Sequence, residues 1–443
     1  MALLFVGVLM AALDLAIIGP ALPAIQAEFD LNNRQLSWLF NIYILTQLVG
    51  TPLLAKMSDR FGRRDIYITC VTLFAAGSLL LVVAGNLETL LIGRAVQGFG
   101  ASGIFPVAAA VIGDTFPEDK RGGALGLIGA VFGLAFLIGP VLGGILLQYA
   151  WQWLFVINLP IAVILIVAAW RLLPTKGDAE LQPFDWTGGL LLTAMLSGLA
   201  VAITNLDSSD LVKSLGSLEV WPFMLAAFIL LPLFWRREQR APDPILRPSF
   251  FESRQMRLIL IISVGVGTVE AAQVFFPALA VSALDVTESM AAWLMLPAVF
   301  VMVIVSPVAG RLVDRIGPTR IVQGGLVFTL AGIAVIGFAV MNYVTFLGGS
   351  MIGGIGLAAL LGAPLRYIIL EEARAEDRAS AQGLLNLFLA FGQMAGAAIV
   401  GGVAASKGGG EVGYQAGYVV LVVLALGLLA VSFGLVNKRK DSG

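Results

Sequence analysis

Two carboxylates, Asp14 and Glu270, lie inside long apolar runs of this 443-residue sequence. A carboxylate near the centre of a membrane-spanning helix costs about 2.5–3.5 kcal/mol on insertion scales, so an acid kept there usually has a functional role. Because burial favours the neutral form of a carboxylate, Asp14 can take up and release a proton. Arg94 lies in another apolar run, and rearrangement of an Asp14–Arg94 pair would switch the affinity for protons. The alternative is a static ion pair that holds two helices together.

Glu270 occupies nearly the position of Asp14 in the second half of the chain, 256 residues later. Gln273 follows it by three residues and shares its helix face, which gives a polar patch that can meet a cationic substrate or carry a second proton. The alternative is a structural acid paired with Arg366. Arg366 lies near the end of its apolar run, from which a long side chain can reach the membrane interface.

Further polar and aromatic residues interrupt the apolar runs and are candidates for lining a central cavity. Asn386 and Gln393 are seven residues apart and therefore lie on one helix face. The full set is Trp38, Asn41, Gln273, Asn386 and Gln393. The alternative is that they join helices to one another, since interhelical hydrogen bonds in membranes are worth about 0.6 kcal/mol on average.

The composition excludes several classes of function. Apolar residues make up 59% of the chain and charged residues 12%, whereas soluble domains have roughly half and a quarter. The chain is therefore expected to lie in a membrane. Histidine is absent and Cys70 is the one cysteine, which removes histidine relays, metal cages, disulfides and Cys/His nucleophiles. We expect no enzyme activity, no metal and no cofactor.

The elements that must position these residues are membrane-spanning helices, which need about 20 apolar residues each. Apolar runs between charged or Pro/Gly-rich breaks predict fourteen of them. They lie near 2–26, 36–55, 65–85, 88–113, 122–149, 152–172, 185–205, 218–235, 256–282, 288–312, 319–341, 343–370, 379–404 and 413–436. The first run lacks a basic leader and a small-residue cleavage site, which favours a spanning helix over a removable signal peptide.

Lysine and arginine orient these helices, because short basic loops stay cytoplasmic. Of the 27 basic residues, 22 fall on one side if the first helix starts inside the cell. This side includes Lys438, Arg439 and Lys440 at the C-terminal end. We therefore expect a multi-pass protein of the cell (inner) membrane with both termini cytoplasmic. The basic loop "WRREQRAPDPILRPSF" is explained by topology, so no nucleic-acid partner is expected.

The sequence repeats itself across its two halves. The stretch "PLLAKMSDRFGRRDI" returns as "PVAGRLVDRIGPTRI". Four residues recur unchanged at an offset of 255: Pro52, Asp59, Arg60 and Gly62 correspond to Pro307, Asp314, Arg315 and Gly317. "DKRGGALG" returns as "EDRASAQG" at an offset of 257. The repeat predicts two six-helix bundles, 1–175 and 251–443, with a two-helix hairpin inserted between them at 176–250. The alternative is chance likeness among glycine-rich spanning helices.

At these residues the chain resembles the major facilitator superfamily over essentially its whole length. "AKMSDRFGRR" is similar to the superfamily's loop motif, with Ala55 where the first glycine is usual. The resemblance implies that this loop latches the cytoplasmic side through Asp59, Arg60, Gly62 and Arg63. The copy at Asp314 and Arg315 has Pro318 and Thr319 in place of the paired arginines, which predicts a weaker second latch.

Other motifs narrow the resemblance to drug exporters. "GLAFLIGPVLGG" resembles an antiporter motif, and implies that Gly139, Pro140, Gly143 and Gly144 allow close packing that seals the path between the bundles on one side. "LIGRAVQGFGASGIFP" resembles the helix 4 motif that carries an intramembrane arginine, here Arg94. "LDLAIIGPALP" resembles the helix 1 motif of fourteen-spanner drug:H⁺ antiporters and keeps Asp14.

The expectation is therefore an all-α membrane protein with the major-facilitator fold, which exports amphipathic, cationic compounds by proton-coupled antiport and alternating access. Its partners would be a small amphipathic substrate, membrane lipids and protons, and it would be a monomer. One alternative is a lipid or glycolipid translocator of the same fold. An alternative of another class is a non-transporting scaffold that assembles membrane complexes.

Overall fold

A computed structural model describes residues 1–31, 33–175, 184–205, 213–214 and 216–436. In this part of the chain the regular structure is helical throughout. The C-terminal basic cluster used for orientation, Lys438, Arg439 and Lys440, lies outside the described residues, and so do residues 176–183, the first part of the predicted inserted segment 176–250.

The α-helices are numbered here in chain order. The first seven are α1 (Ala2–Phe29), α2 (Asn33–Phe61), α3 (Arg63–Val82), α4 (Leu87–Thr115), α5 (Glu118–Leu146), α6 (Trp153–Val156) and α7 (Asn158–Leu172). Two follow as α8 (Trp186–Thr204) and α9 (Trp221–Glu238). The rest are α10 (Arg254–Ala272), α11 (Phe276–Leu284), α12 (Glu288–Ile316), α13 (Pro318–Phe338), α14 (Tyr343–Leu361), α15 (Pro364–Glu372), α16 (Arg378–Ser406) and α17 (Gly410–Ser432).

Twelve helical segments among the described residues are long and apolar enough to cross a membrane, so the predicted count of fourteen is not supported. The first predicted spanner forms α1, but its apolar stretch in the described residues is the shorter Ala2–Ile18. The eighth forms α9, whose last three residues are all charged. Charges gathered in one turn make this helix end costly to place in lipid.

Two predicted spanners are interrupted about two thirds of the way along their length. The predicted helix 256–282 consists of α10 and α11, joined by a 3-10 turn at Gln273–Phe275. Pro277 lies in the first turn of α11, where its missing N–H and its ring prevent a continuous α-helix. The predicted helix 343–370 is likewise divided, and Pro364 begins α15. These breaks lie close to Glu270 and Arg366 in the sequence.

The helices pack as two groups that repeat each other. We call α1–α7 the first bundle, α8–α9 the inserted hairpin and α10–α17 the second bundle. The first bundle is held by contacts of α3 and α2 with α4 and of α1 with α5, and the second by contacts of α10 with α16 and of α13 with α14. The bundles meet where α5 contacts α12 and α2 contacts α16. The exact domain boundaries remain predictions.

Glycines bring the site-bearing helices together. A Cβ on Gly267 of α10 would lie 2.1 Å from the carbonyl oxygen of Leu389, and one on Gly392 of α16 would lie 1.9 Å from that of Val264. Backbones can approach this closely only where no side chain intervenes. Gly77 of α3 faces the backbone of α4 in the same way. The packing fixes α16 beside α10 and α4 beside α3.

Candidate functional site

Asp14 of α1 and Arg94 of α4 form a fully buried ion pair, as the sequence predicts for neighbours. The Arg94 Nη1 donates to the Asp14 Oδ2 at 2.6 Å, and both residues are 0% exposed. Gln97, one turn further along α4, donates from Nε2 to the Asp14 Oδ1 at 2.7 Å and accepts from the Arg94 Nη1 at 2.6 Å. Each carboxylate oxygen therefore has a donor.

Further polar groups extend this network. The Ser78 Oγ accepts from the Gln97 Nε2 at 2.9 Å and from the Asn158 Nδ2 at 3.3 Å. On the other side, the Arg94 Nε donates to the Leu39 carbonyl at 3.1 Å, and its guanidinium lies 4.2 Å from the centre of the Tyr43 ring. Ser78 and Asn158 were not predicted as part of the site, because the sequence does not indicate which partner a single polar residue in an apolar run will bind.

This geometry links the charge of Asp14 to the packing of α1 and α4. Breaking a buried pair by removing one charge typically costs about 3–5 kcal/mol, because the other charge is left uncompensated. Protonation of Asp14 would leave the charge of Arg94 buried and uncompensated. The pair can accept a proton at low cost only if Arg94 moves toward water or toward a new acceptor.

Glu270 lies in a different environment near the end of α10. Its Oε2 accepts from the Gln393 Nε2 of α16 at 3.0 Å. Glu270 is half-buried, whereas Gln393 is exposed. Gln273 begins the 3-10 turn that follows and is half-buried. The structure brings these three predicted residues to one region, and their roles remain predictions.

Arg366 is buried and does not reach the membrane interface, which contradicts that alternative. It is 6% exposed, and its Nη1 donates to the Asn386 Oδ1 of α16 at 3.0 Å. Its guanidinium lies 3.9 Å from the centre of the Phe105 ring, which belongs to the first bundle. Stacking of a cation on an aromatic face is favourable, and more so away from water. Arg366 therefore joins the bundles and forms no ion pair with Glu270 among the described contacts.

Trp38 and Asn41 of α2 are both half-buried. They lie on either side of Leu39, whose carbonyl accepts from Arg94. Their position is adjacent to the buried network, and contact with substrate remains a prediction.

The predicted gate residue Asp59 binds the N-terminus of a helix in the opposite bundle. Its oxygens accept from the backbone N–H groups of Ala379 at 3.0 Å and Ser380 at 2.6 Å, and also from the Ser380 hydroxyl. These groups open α16. A carboxylate is stabilised there because the first N–H groups of a helix have no partner within it. Arg63 donates to the same carboxylate and orients it.

The copy of this residue, Asp314, makes the reciprocal contact. It accepts from the backbone N–H groups of Gly122 at 2.8 Å and Gly123 at 2.7 Å, in the first turns of α5. Gly122 and Gly123 correspond to Ala379 and Ser380 under the offset of 257. Sequence reasoning found both repeated motifs but did not predict that they contact each other across the bundles.

The remaining gate residues behave differently from one another. Gly62 and Gly317 have φ angles of 105° and 89°, which L side chains rarely adopt, so glycine is required at both turns. Arg60, which was expected to latch the cytoplasmic side, donates to Asp243 of the chain that follows the inserted hairpin, and its role as a latch remains a prediction. Arg315 is exposed at this end of the molecule. The asymmetry predicted for the two latches remains a prediction.

Residues 239–247, which we call the linker strap, contact both bundles at the same end. Asp243 pairs with Lys56 of α2, which is 3% exposed. Four residues later, the Arg247 Nε lies 2.8 Å from an oxygen of Asp377, which immediately precedes α16. The strap thus ties the first bundle to the second. The sequence shows a basic, proline-rich loop here, but nothing in its pattern indicates these partners.

Glu238 anchors the start of the linker strap. Its Oε2 accepts from the backbone N–H of Leu246 at 2.8 Å, and the residue is 1% exposed. Burial, and to a smaller extent the charge of Asp185, raise the pKa of this carboxyl from its ordinary 4.5 to about 7. Lys56 and the Leu246 hydrogen bond act in the opposite direction. The group therefore titrates near neutral pH.

In the glycine-proline motif of α5, Gly139 packs against the first bundle's own α1. A Cβ on Gly139 would lie 2.5 Å from the Cβ of Ala16, so this part of α5 packs on α1 within the first bundle. Pro140 is within α5, Gly143 is buried, and Gly144 has open space beside it. Among the motif residues, Gly139 packs on α1, and the predicted inter-bundle seal at this motif remains a prediction.

The bundles come into close contact nearer the N-terminus of α5, at Gly126 and Gly133. The Ser306 hydroxyl of α12 donates to the Gly126 carbonyl at 2.9 Å. A Cβ on Gly126 would lie 2.7 Å from the Ser306 carbonyl oxygen, and one on Gly133 would lie 2.9 Å from Val303. We call the end of the molecule that carries the two latches and the strap the basic end. The described contacts between α5 and α12 run from this end to Gly133, about the middle of α5.

The chain matches the family model of the Major Facilitator Superfamily over residues 4–184 and 258–443. It is 35% identical to the uncharacterized MFS-type transporter YfiU of Bacillus subtilis (strain 168), over 87% of this chain and 76% of that protein. It is 28% identical to the tetracenomycin C resistance and export protein of Streptomyces glaucescens, over 91% and 75%.

A third relative is the multidrug transporter protein MdtP of Bacillus subtilis (strain 168), 28% identical over 92% of this chain and 75% of that protein. The crystal structure of the human organic anion transporter MFSD10 (TETRAN) superposes with a TM-score of 0.73 at 16% identity, covering 97% of this chain and 98% of that one, which shows the shared fold. By its family model, its relatives and its membrane helices, the chain is a multi-pass membrane transporter that belongs to the major facilitator superfamily.

Proposed function

We propose that this transporter is a proton-driven antiporter that exports amphipathic organic cations by alternating access. The observation that carries the proposal is the sealed Asp14–Arg94 pair, a proton-binding carboxylate and its counter-charge held together on two helices. Names of two relatives, a multidrug transporter and an antibiotic resistance and export protein, support export as the direction.

The basic end is assigned to the cytoplasm, because lysine and arginine accumulate in cytoplasmic loops. The hydrogen bonds of Asp59 and Asp314 join the two bundles at this end, which supports a closed cytoplasmic side. The conformation is therefore assigned as outward-facing, with the cytoplasmic side shut. In this proposal α1 and α9 join the twelve candidate spanning helices to give fourteen crossings, and the protein acts as a monomer in the inner membrane.

Proton uptake would drive the cycle through Asp14. Once Asp14 is neutral, Arg94 is an uncompensated buried cation, and the first bundle must rearrange to solvate it or to give it a new acceptor. This requirement couples protonation to a change of conformation. Each proton that moves inward down the membrane potential contributes about 2.3 kcal/mol per 100 mV.

The proposal is tested with Asp14→Asn in vesicles that hold a cationic dye under an imposed pH gradient. We expect loss of gradient-driven dye transport, because asparagine cannot release a proton, with dye exchange in the absence of a gradient retained. Asp65→Asn is the control, since Asp65 is an exposed acid that pairs with its neighbour Arg64. Unchanged gradient-driven transport by the Asp14 variant would refute the role of this residue.

A further inference from the structure

The linker strap lies across the contact that Asp59 makes with the second bundle. Asp243 of the strap pairs with Lys56 of α2, one helical turn before Asp59. At the other end of the strap, Arg247 pairs with Asp377, which precedes by two residues the first backbone N–H that Asp59 binds. The strap therefore holds both partners of this latch, and the latch can open freely only after the strap has come away.

Glu238 fixes the strap to the inserted hairpin. Its Oε2 accepts from the backbone N–H of Leu246 at 2.8 Å. The neighbouring Ile245 is 0% exposed, and a Cβ on Gly189 of α8 would lie 3.3 Å both from Ile245 and from Leu53 of α2. The strap is thus inserted between α8 and α2. Release of the strap would expose Ile245 and Glu238 to water at the same time.

The buried Glu238 carboxyl, which lies beyond the predicted span 218–235, is poorly suited to a negative charge. Its second oxygen, Oε1, accepts no hydrogen bond from the described residues. A Cβ on Gly188 would lie 2.8 Å from this oxygen and 2.6 Å from the Oδ2 of Asp185. Asp185 is itself held by hydrogen bonds from Arg237 at 2.7 to 3.0 Å. An ionised Glu238 would therefore place a second negative charge beside Asp185, whereas a protonated Glu238 is a donor that a carboxylate can accept.

Burial outweighs the other influences on the Glu238 carboxyl. It raises the pKa from 4.5 to about 7, whereas the Leu246 N–H and Lys56 of α2 lower the pKa and Asp185 at the start of α8 raises it. Arg237, on the same helix, also interacts with this charge. Once the strap is released, the exposed carboxyl returns to its ordinary pKa. A group whose pKa is raised in the docked state stabilises that state at low pH, and this contribution is lost as the pH rises through about 7.

Asp377, at the far end of the strap, does not reverse this response. Burial is the main cause that raises its pKa from 3.8 to about 6, with smaller effects of Asp59 and Glu376 in the same direction. Arg247 and Lys56 act in the opposite direction. Asp377 is therefore ionised over most of the range in which the anchor carboxyl titrates. Its ion pair with Arg247 persists there, so the pH response of the strap comes from its anchor.

We propose that Glu238 makes docking of the linker strap depend on cytoplasmic pH, so that the protonated carboxyl holds the basic end closed and its ionisation releases that end. The assignment of this end to the cytoplasm, and the consequence for transport, rest on the proposed function. An antiporter that carries protons inward would be slowed by acidification of the cytoplasm beyond the loss of its driving gradient. The strap would thereby limit proton entry.

The test follows closure of the basic end with a cysteine at Ala110, which is 0% exposed at the seam between the bundles. Maleimide labels Ala110→Cys in the purified full-length protein, without substrate or pH gradient, from about pH 6 to about pH 8, where this linkage acts. The labelling rate is divided by the rate in the Glu238→Gln background at the same pH, which cancels the pH dependence of the thiol itself. Glutamine keeps an acceptor for the Leu246 N–H and has no charge to gain. The ratio should rise about tenfold across this range, because a pKa of about 7 in the docked state and 4.5 in the released state changes the docking equilibrium by that factor.

Glu252→Gln is the matched control, since Glu252 is an exposed glutamate in the chain that follows the strap. This variant should keep the pH profile of the wild type. A ratio that stays constant, or one that falls as the pH rises, would overturn the inference. A profile that Glu252→Gln flattens as much as Glu238→Gln does would also overturn it.

Hydrogen exchange of the strap itself decides the question if Glu238→Gln does not fold. Exchange of residues 239–247 in the wild type, corrected for the intrinsic pH dependence of amide exchange, should show about tenfold less protection at the upper end of the same range. Constant protection would contradict the proposal. Neither measurement uses transport, so absence of gradient-driven dye transport by the wild type would refute the proposed function, and these two results would still decide whether the strap responds to pH.

Discussion

Replacement of Asp59 by asparagine should open the basic end of the transporter. Asp59 accepts two backbone hydrogen bonds and one hydroxyl hydrogen bond from the start of α16. Asparagine keeps one acceptor oxygen but places an amide NH₂ where the other oxygen accepted. Hydrogen bonds to charged groups contribute about 1.5–3 kcal/mol each, so we expect the latched state to lose about 3 kcal/mol. This corresponds to a shift of about 100-fold toward the unlatched state.

A cysteine at the seam between the bundles can report this shift. Ala55, Ala110 and Ala379 form a small cluster there, and each is 0% exposed. Ala110→Cys adds one buried sulfur atom, and native Cys70 is itself buried. We expect maleimide to label this cysteine about tenfold to a hundredfold faster in the Asp59→Asn background. Asp65→Asn provides the control, because it removes a nearby exposed acid outside the latch.

Unchanged labelling in a well-folded Asp59→Asn protein would refute the reasoning. It would mean that the contact at the start of α16 does not hold the basic end closed. Asp314→Asn offers the matched comparison, since Asp314 accepts two backbone hydrogen bonds in the reciprocal position. Faster labelling there as well would show that both latches contribute, and a smaller effect would support the asymmetry that the sequence predicts.

The linker strap and its anchor give two further predictions. Asp243→Asn should raise the labelling rate of Ala110→Cys by a smaller factor than Asp59→Asn does, because it leaves the buried Lys56 without its ion-pair partner. Arg240→Gln changes an exposed residue nearby and should have no effect on this rate. Equal labelling rates in the wild-type background, Asp243→Asn and Arg240→Gln would contradict a role for the strap. Glu238→Gln should flatten the pH dependence of the melting temperature. The wild type should lose stability as pH rises from about 4.5 through about 7, since a raised pKa favours the protonated folded form; the same slope in both proteins would count against this titration.

The repeat in the sequence predicted much of the fold. The shared offset relates α2 to α12, and both helices contain 29 residues. It also matched Gly62 with Gly317, and both of these glycines have a positive φ angle. These features were predictable because they depend on hydropathy over about 20 residues and on a backbone conformation that one residue type favours.

The rotation of each spanning helix could not be predicted in the same way. Nearly every face of these helices is apolar, so periodicity does not show which face meets a neighbour, and packing against other helices decides it. Gly139 therefore faces Ala16 instead of the opposite bundle. Arg366 turns inward onto Phe105 for the same reason. The sequence supplied the residue types of the site but not their partners.

The two latches share the aspartate and the glycine of the repeat, but the arginine at Arg63 is replaced by Pro318 in the second copy. The contacts of these residues explain the difference. Asp314 and Gly317 act through the backbone, as an acceptor of helix N–H groups and as a turn with positive φ, so they function in either bundle. Arg63 instead needs particular side chains and pairs with Asp59 and Asp114. Its counterpart Pro318 has no charged side chain to pair. Proline is instead favourable in the first turn of a helix, and Pro318 begins α13. Backbone-directed groups can thus stay symmetric after duplication while side-chain pairs diverge, which permits one latch to weaken without loss of the other.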